Sequence, residues 1–189
     1  VLVAGGLVVC DRLGVFGRAP RPDMAKYHGR SFRVVEVIDG DTLDVDVPDG
    51  KYDDTRIRLW GVDTPEIHDV DDPQAPPMHF GPEATSFTRK LVADRTVRLE
   101  LLERRTRGRH GRLLAYVYLP DGRMHNRLLV ERGYAYADPR FDHPRRDEFR
   151  GLQREARRAG RGLWAQVTEG ELPYYYRGRL NLTTTPAGQ

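Results

Sequence analysis

One cysteine, Cys10, stands in a chain of 189 residues, so no disulfide can form within it and the fold must hold without one. Lysine is nearly missing as well: Lys26, Lys51 and Lys90 are the only three, and arginine carries the rest of the positive charge, a bias that genome base composition can produce. Long apolar runs are lacking. The run at 1–10 holds ten residues where a bilayer span needs about 20, so it cannot cross a membrane by itself. There is no internal repeat and no extended low-complexity tract, which excludes solenoids and arrays. What is present, 39% hydrophobic and 31% charged residues in periodic segments, suits one folded unit with flanking segments and argues against wholesale disorder.

Net charge is only +3, yet it is unevenly placed. Residues 36–72 hold 3 basic and 13 acidic side chains, a balance of −10, whereas 89–161 hold 20 basic and 10 acidic, a balance of +10. Such a chain can offer a cation one part of itself and a phosphate backbone another.

The acidic part contains two clusters, Asp39-Gly40-Asp41-Thr42 and Asp63-Thr64-Pro65-Glu66, the second reached through Arg56-Ile57-Arg58-Leu59-Trp60-Gly61-Val62. Each ends a strand-like apolar run. Short carboxylates and a turn carbonyl are the ligands a hard cation such as Ca²⁺ prefers, and Asp41, Asp63 and the carbonyl of Thr64 fit that role. Taken singly, each cluster also reads as ordinary turn chemistry, since Asp-Gly and Thr-Pro form turns unaided. The balance shifts at Arg109-His110-Gly111-Arg112-Leu113-Leu114, where a second arginine stands at the mouth of another apolar run. Two acidic corners with Arg58 and Arg112 form a set that turns do not require.

At these motifs, over residues 32–164, the chain resembles the thermonuclease (staphylococcal nuclease-like) family. Val37-Ile38-Asp39-Gly40-Asp41-Thr42 is similar to its first metal-binding corner, Arg58 through Glu66 to its central catalytic strand, and His110-Gly111-Arg112 to its second-arginine turn. Gly81-Pro82-Glu83-Ala84 is similar to the start of its first helix. The resemblance implies an α+β, mainly β fold: a five-stranded OB-fold Greek-key barrel capped by about three helices. It implies Ca²⁺ on Asp41, Asp63 and Thr64, with Arg58, Glu66 and Arg112 as catalytic residues. It further implies hydrolysis of DNA and RNA at the 5′-oxygen bond, leaving 3′-phosphate ends. A non-catalytic barrel that only binds nucleic acid is the alternative.

Physical chemistry stands beside each assignment. Two guanidinium forks can grip phosphate oxygens in a way lysine cannot. Glu66, one methylene longer than Asp, can orient or deprotonate an attacking water. Arginine is too weak an acid to protonate the leaving oxygen, so that donor stays unassigned. Further substrate contacts are expected from Arg109, His110 and Phe141, and Arg104, Arg105, Arg107, Arg109 and Arg112 form a basic loop that either meets the backbone or is simply solvated. Asp39 is left outside the metal set as a turn residue.

Alternation of apolar and polar residues predicts strands at 32–38, 42–47, 55–62, 96–102 and 112–119. Helices are expected from Pro82 for about three turns, then at 126–132 and 146–159. The acidic, proline-rich stretch between Glu66 and Gly81 is expected to be a mobile flap; a second metal site on His68, Asp69 and His79 is the weaker alternative. Residues 1–30 read as an apolar leader and linker, 31–166 as the nuclease-like domain and 167–189 as a weakly ordered extension. The apolar start, 1–10, is read as part of a signal peptide or anchor, which would place the domain outside the cytoplasm, secreted or held at the envelope, as a monomer.

Overall fold

The computed structural model describes residues 22–67, 74, 76–180 and 182. In chain order its elements are α1 (Pro22–Tyr27), β1 (Ser31–Val37), β2 (Thr42–Val45), β3 (Thr55–Leu59), β4 (Val62–Asp63), α2 (Gly81–Val92), β5 (Thr96–Glu100), β6 (Leu113–Tyr118), α3 (His125–Glu131), β7 (Tyr136–Ala137) and α4 (Arg146–Arg158). Short 3-10 turns follow at Gly162–Ala165 and Glu169–Glu171. Five strands close a barrel in the order β1-β2-β3-β6-β5. All its pairings are antiparallel except β3 with β6, which run parallel with Ile57 beside Leu113 and Arg58 beside Leu114. This is the α+β, mainly β barrel that the motifs implied.

Alternation builds the barrel. Along β3, Thr55, Ile57 and Leu59 point inward and are buried, while Arg56 and Arg58 point outward. Val34, Leu43, Val45, Val97, Leu99, Leu113 and Val117 join them in one core. Removing side chains of this size from water stabilises the fold by about 1.5–3 kcal/mol each. On the outside, α2 packs on β1, α3 on β6, and α4 on α3. Asn126, fully buried at the start of α3, accepts from the Val117 N–H at 2.9 Å and donates to the Trp60 and Ala115 carbonyls at 3.0 and 3.2 Å. It thereby ties the helix to the end of β3, the strand that carries Arg58.

Most expected boundaries fall within two residues of those observed. The 55–62 strand is the exception, because the chain turns at Gly61 (φ 73°) and a Cβ there would lie 2.4 Å from the His143 ring. The residues beyond leave the barrel as β4 and pair with β7, Val62 beside Ala137 and Asp63 beside Tyr136. The second acidic corner therefore rides on a separate two-stranded ribbon.

Both ends of the folded unit reach further than 31–166. Residues from Pro22 on, read above as linker, dock through Tyr27, which is fully buried with its hydroxyl 3.0 Å from Thr55 Oγ1. Leu172, Tyr175 and Tyr176, in the stretch read as weakly ordered, join Tyr136, Ala156, Leu163 and Trp164 in a second apolar cluster. Their bulk supplies the reason: two large rings and a leucine have more to gain from burial than their polar neighbours lose. The apolar run 1–10 lies outside the described residues, and no described helix is long and apolar enough to cross a membrane.

Candidate active site

The turn between β1 and β2 makes the first corner. Asp39 Oδ1 accepts the Asp41 N–H at 2.9 Å, an Asx turn that leaves the Asp41 carboxylate free to look across the barrel edge. There it accepts the Thr64 N–H at 2.8 Å, and the Thr42 hydroxyl at 3.2 Å. Glycine is required at position 40 because Thr64 packs directly on it: a Cβ would meet Thr64 Cγ2 at 2.7 Å. Thr88 on α2 donates to the Gly40 carbonyl at 2.6 Å and fixes the turn from behind. The two corners, remote in sequence, are thus stitched into one floor.

Arg58 spans that floor. Its Nη1 lies 2.8 Å from Asp41 Oδ2 and its Nη2 2.5 Å from Asp63 Oδ1, with a further bond from Nη1 to the Val62 carbonyl at 2.7 Å. The side chain is only 13% exposed. Burial alone would pull this guanidinium down, but Asp41 and Asp63 outweigh it and hold it above its ordinary value. The carboxylates feel the reverse contest. Burial pushes Asp41 up and Asp39 adds to the push, against Arg58 and the Thr64 N–H; burial likewise raises Asp63 against Arg58.

Above the floor opens a cavity of about 940 Å³, and its walls carry Arg58, Asp63, Glu66, Arg109, His110, Arg112 and Phe141. Asp41 and Thr64 lie beneath, 2% and 4% exposed. All nine residues nominated from sequence therefore gather at one place. The parallel pairing of β3 with β6 accounts for the two arginines: Arg112 immediately precedes Leu113, the neighbour of Ile57, so it stands diagonally across from Arg58 on the outward face.

Glu66 meets solvent along the cavity, with its own carbonyl held by the Met78 N–H at 2.9 Å. Its carboxyl is pushed up to about 8, by crowding of the cavity walls first and then by Asp41, Asp39 and Asp63, with Arg58 opposing. No ion pair or hydrogen bond engages the Arg112 guanidinium among the described residues. Arg109 Nε donates to His110 Nε2 at 2.8 Å, so these two act together at the rim.

The basic loop divides. Arg107 does not face a substrate: it bridges Asp23 of α1 at 2.7 Å and Asp49 of the β2–β3 loop at 2.6 Å. Arg104 pairs with Asp142 at 3.2 Å. Arg105 lies over the Phe141 and Trp60 rings, at 4.9 and 5.8 Å. Phe141 itself is half-buried, one side against Trp60 and the rest on the cavity wall.

Several members of the site escaped the sequence reading. Asp39 lines the cavity as well as shaping the turn. Arg140 reaches Asp63 Oδ1 at 3.0 Å while held by Asp138 at 2.8 Å, and Tyr175 donates to Asp63 Oδ2 at 2.5 Å. The signal for Arg140 was Asp138-Pro139-Arg140 directly after β7, legible once β7 is known to pair with β4. Of the alternative metal set, His68 and Asp69 lie outside the described residues, and His79 faces Glu171 at 3.8 Å.

Among the described residues no three His, Cys, Asp or Glu side chains converge as a metal cage. Asp41 and Asp63 are instead brought together by Arg58, and Thr64 joins them through its N–H on Asp41, so oxygen ligands beyond the two carboxylates would come from the backbone. Burial first, and the mutual repulsion of these carboxylates after it, push Asp41, Asp63 and Glu66 up against Arg58, and a hard dication would offset both. The donors present fit such an ion.

A closed five-stranded barrel with guanidinium groups and carboxylates around one edge cavity defines an OB-fold protein equipped for a phosphate-bearing ligand. Comparison with known proteins goes further. The family model for staphylococcal nuclease homologues matches residues 56–166. The chain is 41% identical to the thermonuclease of Staphylococcus intermedius over 140 residues, covering 72% of this chain and 77% of that one. It is 36% identical to the thermonuclease of Staphylococcus hyicus over 139 residues, 72% and 76% of the two chains. With an uncharacterized endonuclease of Escherichia coli O157:H7 it shares 34% identity over 155 residues, 82% and 88%. The chain belongs to the staphylococcal nuclease family.

Proposed function

We propose that this protein is a Ca²⁺-dependent nuclease that hydrolyses phosphodiester bonds in DNA and RNA and leaves 3′-phosphate ends. One observation carries the reading: Arg58, Glu66 and Arg112 face a single cavity, beneath which Thr64 bonds Asp41 and Arg58 bridges Asp41 to Asp63. Relatives named thermonuclease and endonuclease support the nuclease activity, and the family resemblance supports the polarity of cleavage.

In this reading Asp41, Asp63 and the Thr64 carbonyl hold the cation, which when bound supplies positive charge to a non-bridging phosphate oxygen. Arg112 meets the phosphate with a planar fork, and Arg58 offers the N–H groups not committed to the two carboxylates. Glu66 orients the attacking water and accepts its proton. Because phosphoryl transfer is chiefly positioning and charge stabilisation, groups fixed in advance around the phosphate account for most of the acceleration. Arg109 and His110 at the rim steer the backbone, and the exposed part of Phe141 offers a ring to a base.

A binding module of the same fold would need a basic groove but not Glu66 beside two arginines and paired acids, which favours the enzyme. The apolar run 1–10 supports action outside the cytoplasm, and the protein is expected to work as a monomer. Incubation of plasmid DNA and single-stranded RNA with the purified protein tests the activity. Cleavage with Ca²⁺, its loss under excess chelator, and ends that a polymerase extends only after phosphatase treatment are the expected results. Unchanged cleavage in chelator removes the metal role, and no cleavage at all leaves the binding module.

A further inference from the structure

The structure assigns Tyr175 as a positioning residue for Asp63: a phenol carried on the segment after residue 166 sets the orientation of a carboxylate in the active-site floor. The assignment deepens the function proposed above and rests on Asp63 being a cation ligand.

The two oxygens of Asp63 are held by different chemistry. Oδ1 receives Arg58 Nη2 at 2.5 Å and Arg140 Nη2 at 3.0 Å, while Oδ2 receives the Tyr175 hydroxyl at 2.5 Å. Three donors on two oxygens leave the carboxylate plane little freedom. The phenol is the neutral one, so it holds Oδ2 in place without bringing a second positive charge to the side where a cation would bind. Donors behind a ligand carboxylate commonly govern metal affinity in this way.

Tyr175 is built into its place. It is 6% exposed, its ring lies 4.5 Å from the Arg140 guanidinium, and it belongs to the cluster formed with Tyr136, Trp164 and Leu172. The next residue, Tyr176, donates its hydroxyl to the Ala137 carbonyl on β7. Ala137 pairs with Val62, the residue before Asp63. The segment is thus fastened to the same ribbon that carries the carboxylate it contacts. Tyr175 lies nine residues beyond the end of the family match at 166.

Direct titration with Ca²⁺ alone, by calorimetry and without nucleic acid, tests the assignment on the wild-type chain, Tyr175→Phe and Tyr176→Phe. Tyr175→Phe keeps the ring, and with it the packing and the Arg140 contact, and loses only the hydroxyl. It is expected to bind Ca²⁺ roughly ten-fold more weakly, with a thermal midpoint lowered no more than in Tyr176→Phe, and to regain turnover at saturating Ca²⁺. Tyr176→Phe loses a hydroxyl from the same segment that points at Ala137, and should bind Ca²⁺ as the wild type does. Wild-type affinity in Tyr175→Phe, or equal weakening in both variants, overturns the positioning role and leaves only packing. Failure of the unmutated protein to bind Ca²⁺ or to cleave would instead remove the proposed function, and this assignment with it.

Discussion

The Thr64 N–H donates to Asp41 Oδ2 at 2.8 Å across 23 positions of sequence, and at the same place the Thr64 side chain rests on the Cα of Gly40. The two acidic corners are therefore in contact through one hydrogen bond and one point of packing. An alanine at position 40 would put its methyl 2.7 Å from Thr64 Cγ2, and the corners would have to part. Gly40→Ala is expected to lose about 1–3 kcal/mol of stability, the usual range for an overpacked site. Cleavage should fall more than stability accounts for, since the separation opens the floor itself. Urea unfolding alongside turnover measures both, and an alanine variant of wild-type activity would show that the corners need not touch.

Arg58 and Arg112 share a cavity but differ in what they leave behind. Removing Arg58 leaves the buried carboxylate of Asp41 without its cationic partner, while Asp63 keeps Arg140; losing the partner of a buried charge commonly destabilises by about 3–5 kcal/mol. Arg112 is half-exposed and pairs with nothing among the described residues, so its removal should leave stability nearly unchanged. Both Arg58→Ala and Arg112→Ala are expected to lower turnover by about 10²-fold or more, the effect of losing one preorganised donor to a developing charge. Thermal midpoints measured with kcat separate the two residues. Equal loss of stability in both variants would contradict the division.

How far the site was legible follows from which interactions are local. The Asp39-Gly40-Asp41-Thr42 turn and the Arg-X-Arg strand announce themselves because their geometry is set within a few residues. The barrel strands do so too, through their alternation. The split of 55–62 at Gly61 did not, because the cause is the His143 ring, a residue 82 positions away. Arg140 and Tyr175 stayed hidden for the same kind of reason: their approach to Asp63 exists only once β7 pairs with β4 and the late tyrosines cover the ribbon. Burial of the late tyrosines was missed because polar neighbours masked an apolar cluster that has no regular period.

Arg107 shows the opposite error, a residue whose sequence neighbourhood suggested substrate contact while its partners make it structural. It joins Asp23 and Asp49 through paired bonds of 2.6 to 3.0 Å and so ties α1 to the β2–β3 loop. The Asp23 carboxyl is held below its ordinary value chiefly by that bond. Arg107→Ala should lower stability by about 1–3 kcal/mol through the charge-assisted hydrogen bonds it deletes. KM for nucleic acid should stay at the wild-type value, whereas Arg109→Ala should raise KM and weaken its salt dependence. A higher KM in Arg107→Ala at unchanged stability would return this arginine to the substrate face.

His125 links acid stability to the first acidic corner. It is fully buried at the start of α3, with Nε2 3.1 Å from Thr88 Oγ1, and the Thr88 hydroxyl donates its hydrogen bond to the Gly40 carbonyl. With the Thr88 hydroxyl already donating, Nε2 carries the hydrogen, and the buried Nδ1 has no partner among the described residues. Burial lowers the imidazole from 6.5 to about 3. The folded protein thus refuses a proton that the unfolded chain accepts below 6.5, so the contribution of this neutral histidine is complete above that pH and is lost as pH falls from 6.5 toward 3. The slope is at most about 1.4 kcal/mol per pH unit. Asp41, Asp63 and Glu66, all pushed up, act in the other direction, because the folded state takes their protons more readily than the unfolded one. Comparison with His125→Gln, which keeps a donor toward Thr88 but does not titrate, isolates the histidine. Urea unfolding at neutral and mildly acid pH should show the wild type losing stability faster than the variant as pH drops, and parallel losses would mean that the imidazole is protonated within the fold.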